Sequence, residues 1–234
     1  MTDARATRPI PLALTTLIAT FSALVALAFS GGHDAQAHTG ADHSASALSS
    51  RVEVSSAEFA LRQEMRRLWE EHVTWTRLAV ISLTSGTPDT SAAVGRLLRN
   101  QADIGNAIKP FYGKAAGAEL TRLLREHISV AAELIAAAKA GDEAKLQMEQ
   151  AAWRRNADRI ARFLSRANPD AWAFGATNAM LRTHLALTTQ EVVARLQGRW
   201  AADVRAYDAI HGQALEMADM LSAGIVHQFP ERFS

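Results

Sequence analysis

Cysteine is absent from the 234-residue chain, which removes disulfides, thiolate metal sites, thiol nucleophiles and covalently attached haem together. Any metal must then be held by His, Asp, Glu or Met. Excess charge of either sign is missing too. The 25 Lys and Arg face 24 Asp and Glu, a formal net charge of +1, so no field gathers nucleic acid or an anionic membrane surface. The chain also lacks HExxH, P-loop, GxSxG and GxGxxG motifs, and the Glu-x-x-His of di-iron carboxylate bundles. No nucleophile and base arrangement can be named, so an enzyme is not the reading these residues favour. What is present, 48% hydrophobic and 21% charged residues, suits one globular domain.

At the N-terminus Arg5 and Arg8 precede an uncharged run from Pro9 to Gly32, followed by Ala35-Gln36-Ala37, an A-x-A cleavage pattern. Residues 1–37 therefore read as a signal peptide, and the mature chain as periplasmic or secreted. The run is also long enough to stay as an uncleaved anchor, which would be the chain's one contact with a membrane. Residues 38–54, small and polar, read as a flexible linker, and 55–234 as the folded domain. Cleavage after Ala37 would expose the His38 amine and imidazole as a copper chelate with His43 behind. The plainer reading is an unstructured tail.

Leu61, Met65, Leu68, His72, Trp75 and Ala79 recur at spacings of four and three, predicting an amphipathic helix from about Ser55 to Leu83. A second helix, from about Asp89, carries Leu97, Gln101, Ile104 and Ile108 and stops at Lys109-Pro110, with FYGKAAG as a turn. Four more follow at about Ala118–Ala140, Asp142–Arg166, Phe174–Leu196 and Arg199–Val226. Period-two alternation of the strand kind is missing. The expected fold is all-α, an up-down bundle of about six helices made from three repeated helical hairpins.

The repeat shows at an offset of 55. Glu119, Arg122, Leu123, Glu126, His127, Gly141, Arg154, Ala157 and Asp158 match Glu64, Arg67, Leu68, Glu71, His72, Gly86, Arg99, Ala102 and Asp103. A weaker third copy begins at Leu181-Arg182-Thr183-His184, with Asp203 or Asp208 in the acidic position. The His to Asp separation is 31 in both clear copies, 103 − 72 and 158 − 127, and hairpin arms of this length allow a cross-helix contact. His72 and His127 stand mid-stripe. His211 falls in line with Trp200, Val204, Tyr207 and Ala218, with Asp208 three residues before it, while His184 reads as flanking.

Two readings follow. In one, each Asp accepts a hydrogen bond from its His and the pair fixes helix register in a structural or interaction module of the envelope. In the other, His72, Asp103, His127, Asp158, His184, Asp203, Asp208 and His211 supply ligands and their orienting acceptors to a transition metal, copper, zinc or iron, inside the bundle. Bis-His haem is a further option. Glu71 and Glu126, next to the histidines, point about 100° away and are expected at solvent. Trp69, Trp75, Trp153 and Trp200 are expected to pack.

In the segments EEHVTWTRLAVISL, RLLRNQADIGNAIKPFYG, WRRNADRIARFLSRANP and AYDAIHGQALEMADMLSAGIVHQFP, the chain resembles a family of exported bacterial all-helical proteins. Some members carry a glycosyltransferase label. The sequence has neither the Asp-x-Asp motif nor the α/β pattern of a nucleotide-sugar fold, so the label is not carried over. The resemblance implies export and a helical domain and supplies no catalytic residues.

Overall fold

A computed structural model describes residues 55–234; the signal segment, the linker, His38 and His43 lie outside the described residues. Six helices follow in order, α1 (Ser56–Ser85), α2 (Thr90–Ala107), α3 (Lys109–Ala140), α4 (Glu143–Ala167), α5 (Phe174–Leu196) and α6 (Trp200–Gln228), with a 3-10 turn at Pro230–Arg232. The all-α bundle expected from the periodicity is the fold observed. No strand occurs among the described residues.

Local chemistry explains the breaks. The Ser55 hydroxyl accepts from the Glu58 amide at 3.1 Å to start α1, and the Asp142 carboxylate accepts from Lys145 at 3.0 Å to start α4. Gly86 and Gly141 end α1 and α3 at φ 72, a left-handed conformation that glycine enters without a Cβ clash. One boundary differs from expectation. FYGKAAG is no open turn: Pro110 sits in the first turn of α3, where its missing N–H costs nothing, and the chain bends at Gly113 (φ 84) before α3 continues.

Each helix packs on its chain neighbours, α6 returns to α1, and α1 also meets α3 and α5, so the first helices of the three hairpins gather inside. Their apolar faces form one continuous core containing Met65, Leu68, Leu124, Leu185, Met217 and Ile225. At one end Phe111, Tyr112, Phe229 and Phe233 cluster with ring centroids 5.4 to 5.8 Å apart. No helix among the described residues is long and apolar enough to cross a membrane.

Helices α2 and α3 cross closely at Gly105 and Gly117. A Cβ on Gly105 would stand 2.6 Å from the Gly117 carbonyl oxygen and closer still to Thr121 Oγ1. Overpacking of this kind costs about 1–3 kcal/mol. Gly105→Ala is therefore expected to lower the urea midpoint by that equivalent, whereas Gly95→Ala, with open space around it, should not; equal midpoints for both would contradict this packing.

Candidate functional site

His72, His127 and His184 come from α1, α3 and α5 and meet in the core. They are 4%, 5% and 5% exposed. The His184 ring is 6.1 Å from each of the other two by centroids. His184 is thus a central residue rather than the flanking one its stripe suggested.

The Nδ1 partners are carboxamides. Asn156 Oδ1 meets His127 Nδ1 at 2.8 Å and Gln213 Oε1 meets His184 Nδ1 at 3.2 Å. Asn156 Nδ2 donates to Leu123 O at 3.0 Å and Gln213 Nε2 to Met180 O at 3.4 Å, each carbonyl four residues before the histidine. Those donations turn the amide oxygens toward the rings, so Nδ1 carries the proton and Nε2 keeps the lone pair. At His72 two side chains share the task. Asn100 Nδ2 caps Leu68 O at 3.0 Å, and Gln101 Nε2 meets His72 Nδ1 at 3.1 Å while also donating to Leu97 O at 2.9 Å.

The separation from histidine to the carboxamide touching it is 29 in every hairpin: 101 − 72, 156 − 127 and 213 − 184. The expected His–Asp pairing is therefore replaced. A residue two positions further along a helix is turned by about 200°, so if position 29 faces the histidine, position 31 faces away. Asp103 is exposed and lines an open groove with Arg67 and Arg232. Asp158 binds Arg182 at 2.6 Å and Asn178 at 2.7 Å, tying α4 to α5. Asp208 is exposed.

Asp203 is buried in a different cluster, where both its oxygens bind Arg77, Oδ2 binds Arg195 at 3.0 Å, and Glu191 joins Arg77 at 2.6 Å. Two arginines and two carboxyl groups meet there and join α1 to the last hairpin. Burial raises the Glu191 pKa, opposed by its hydrogen bond from Arg77. His211 also stands apart, bonded to Glu70 at 2.8 Å on the outer face. The line expected through it does not face the core: Trp200 and Val204 are 60% and 51% exposed, and the buried line of α6 is Asp203, Ala206, Ile210, Gln213 and Met217.

The histidine layer sits between two small cavities. Trp69, Leu124 and Leu181, each three residues before a histidine, help line a space of about 40 Å³. Thr76, Ala131 and Thr188, each four residues after one, help line another of about 30 Å³. Trp69 packs edge-on against His72 at 5.4 Å, and Trp153 lies against His127 at 5.2 Å.

Burial holds all three imidazoles neutral. It is the largest influence at each, bringing His72 and His127 down to about 3; repulsion from a charged His184 adds to both. His184 is lowered by burial as well, against its hydrogen bond to Gln213. Neutral imidazole is the metal-ligating form, and an outer hydrogen bond on Nδ1 is the usual way its tautomer is fixed. The spacing is wider than that of a finished site. Three imidazoles bonded to one metal at about 2.0–2.1 Å bring centroids to roughly 5–5.5 Å, and among the described residues no three His, Asp or Glu already stand in metal-holding positions. Comparison with protein-family models, curated proteins and solved structures finds no match to this chain.

Proposed function

We propose that this is an exported helical-bundle protein that binds one transition metal ion, zinc or copper, through His72, His127 and His184. The observation that carries the reading is the repeated unit: in each hairpin a buried neutral histidine meets a carboxamide 29 residues on. Asn156 and Gln213 leave Nε2 as the free lone pair of their histidines. At His72 the Gln101 amide must turn over to offer Oε1 to Nδ1, giving up its donations to Leu97 O and Asn100 Oδ1. The His72–His184 and His127–His184 separations of 6.1 Å then shorten by about 1 Å. Asp103, Asp158, Asp203, Asp208 and His211 take no part, because each has a position or partner elsewhere in the fold. The N-terminal pattern supports export to the periplasm or outside the cell, and an intact mass beginning at His38 is then the expected form.

A non-enzymatic structural or interaction module is the second reading, favoured by the 6.1 Å ring spacing and by carboxamides that already satisfy each Nδ1. The three histidines would then specify register, as buried polar groups do in some bundles. Zinc and copper titrations of chelator-treated wild type and of His72→Gln, His127→Gln and His184→Gln separate the two. The metal reading expects one ion per chain, bound tighter than about 10 μM, a higher melting temperature with metal, and loss of both in every variant. A melting temperature indifferent to metals and chelators would leave the structural module.

A further inference from the structure

Five buried side-chain atoms have no hydrogen-bond partner among the described residues; one, Gln101 Oε1, is the atom the turned amide gives to His72, and three more lie about the histidine layer: Trp69 Nε1, Trp153 Nε1 and Thr76 Oγ1. Such atoms are rare in folded proteins because each loses its hydration for nothing in return. Their grouping has a cause if the layer encloses something polar. Trp69 and Trp153 are 6% and 3% exposed, and their rings touch the imidazoles of His72 and His127. Each hairpin, moreover, delivers one imidazole and no carboxylate to the layer; Asp203 is committed to Arg77 and Arg195, and His211 to Glu70. Structural zinc sites close with four protein ligands, whereas three leave a position for an exogenous one.

We propose that the trihistidine centre is an open metal site whose remaining coordination position takes an exchangeable small ligand, a water or a small anion, hydrogen-bonded by the indole N–H groups of Trp69 and Trp153. This rests on the metal-binding reading above. The three imidazoles are neutral, so a divalent metal leaves the layer with a positive charge that an anion complements. Trp69 lines the cavity of about 40 Å³ before the layer and Thr76 the one of about 30 Å³ after it, each with room for a molecule of water size. Their walls are largely apolar, so the ligand's polar contacts are with the metal and the layer's own orphaned groups.

The test loads the full chain with cobalt(II) and titrates sodium azide against the visible cobalt bands. Saturable spectral change is expected, with azide affinity falling roughly 3- to 10-fold in Trp69→Phe and in Trp153→Phe while cobalt affinity holds. A second measurement needs no variant: in zinc-loaded protein with labelled tryptophan, the Trp69 and Trp153 Nε1–H resonances should move on azide addition, and that of exposed Trp200 should not. Bound cobalt whose bands ignore azide and cyanide would overturn the open site and leave the metal reading standing. Unchanged azide affinity in both variants, with the indole resonances fixed, would overturn the role of the tryptophans. Failure to retain any metal would remove both proposals together.

Discussion

Lowering the pH of the metal-free protein from 7 to 4 is expected to remove several kcal/mol of folding stability. The folded chain keeps His72 and His127 unprotonated down to about 3, while the unfolded chain protonates them near 6.5. The unfolded state therefore binds more protons throughout that window, so stability is complete above about 6.5 and is lost as pH falls toward 3. Each histidine contributes a slope on the order of 1 kcal/mol per pH unit, and His184 acts in the same direction. Glu191 opposes them over a narrower range: its raised pKa means that the folded state takes up a proton first, so its contribution falls as pH rises through that interval. Urea unfolding at half-unit pH steps measures the sum. His127→Gln should flatten the slope by about one proton, and a wild-type stability constant between pH 7 and 4 would contradict the buried neutral layer.

Asp203→Ala is expected to cost about 3–5 kcal/mol, the usual penalty for removing one partner from a buried ion cluster. It leaves Arg77 and Arg195 with only Glu191 between them, and those two arginines are 15% and 13% exposed at the side chain. Glu191→Gln should cost much less, because burial already pushes that carboxyl toward its neutral form and an amide still accepts from Arg77. Metal content should be the same in both variants and in wild type. A drop in bound metal in Asp203→Ala, at a temperature where the variant remains folded, would return Asp203 to the ligand set. Thermal melts with metal analysis on the same samples give both answers.

Much of the fold was legible because helix stripes and their stops are local. Gly86, Gly141 and Pro169 mark ends of helices where glycine or proline chemistry requires them, and His72 and His127 stood out as polar residues on apolar lines. The partners were not legible in the same way. Identity at an offset of 55 singled out Asp103 and Asp158, but it marked Glu64, Arg67 and Glu71 equally, and those form exposed ion-pair ladders repeated by Glu119, Arg122 and Glu126. Conservation between copies thus pointed as readily to the surface as to the core. Position 101 is Gln where position 156 is Asn, so identity matching passed over the pair that touches the histidines, although carboxamide chemistry links them. The common spacing of 29, shared by Gln213, was the signal available. His211 misled for another reason: on α6 an outer line of Trp200, Val204 and Tyr207 is nearly as apolar as the buried one, and periodicity alone does not say which faces inward.

Zinc X-ray absorption on the loaded full chain tests the central claim most directly. Three imidazoles on one ion should appear as a nitrogen shell at about 2.0–2.1 Å with the multiple-scattering features of about three rings, and substitution of His184 should abolish the bound zinc. A shell of oxygens without imidazole scattering, or zinc that washes away from wild-type protein, would contradict it.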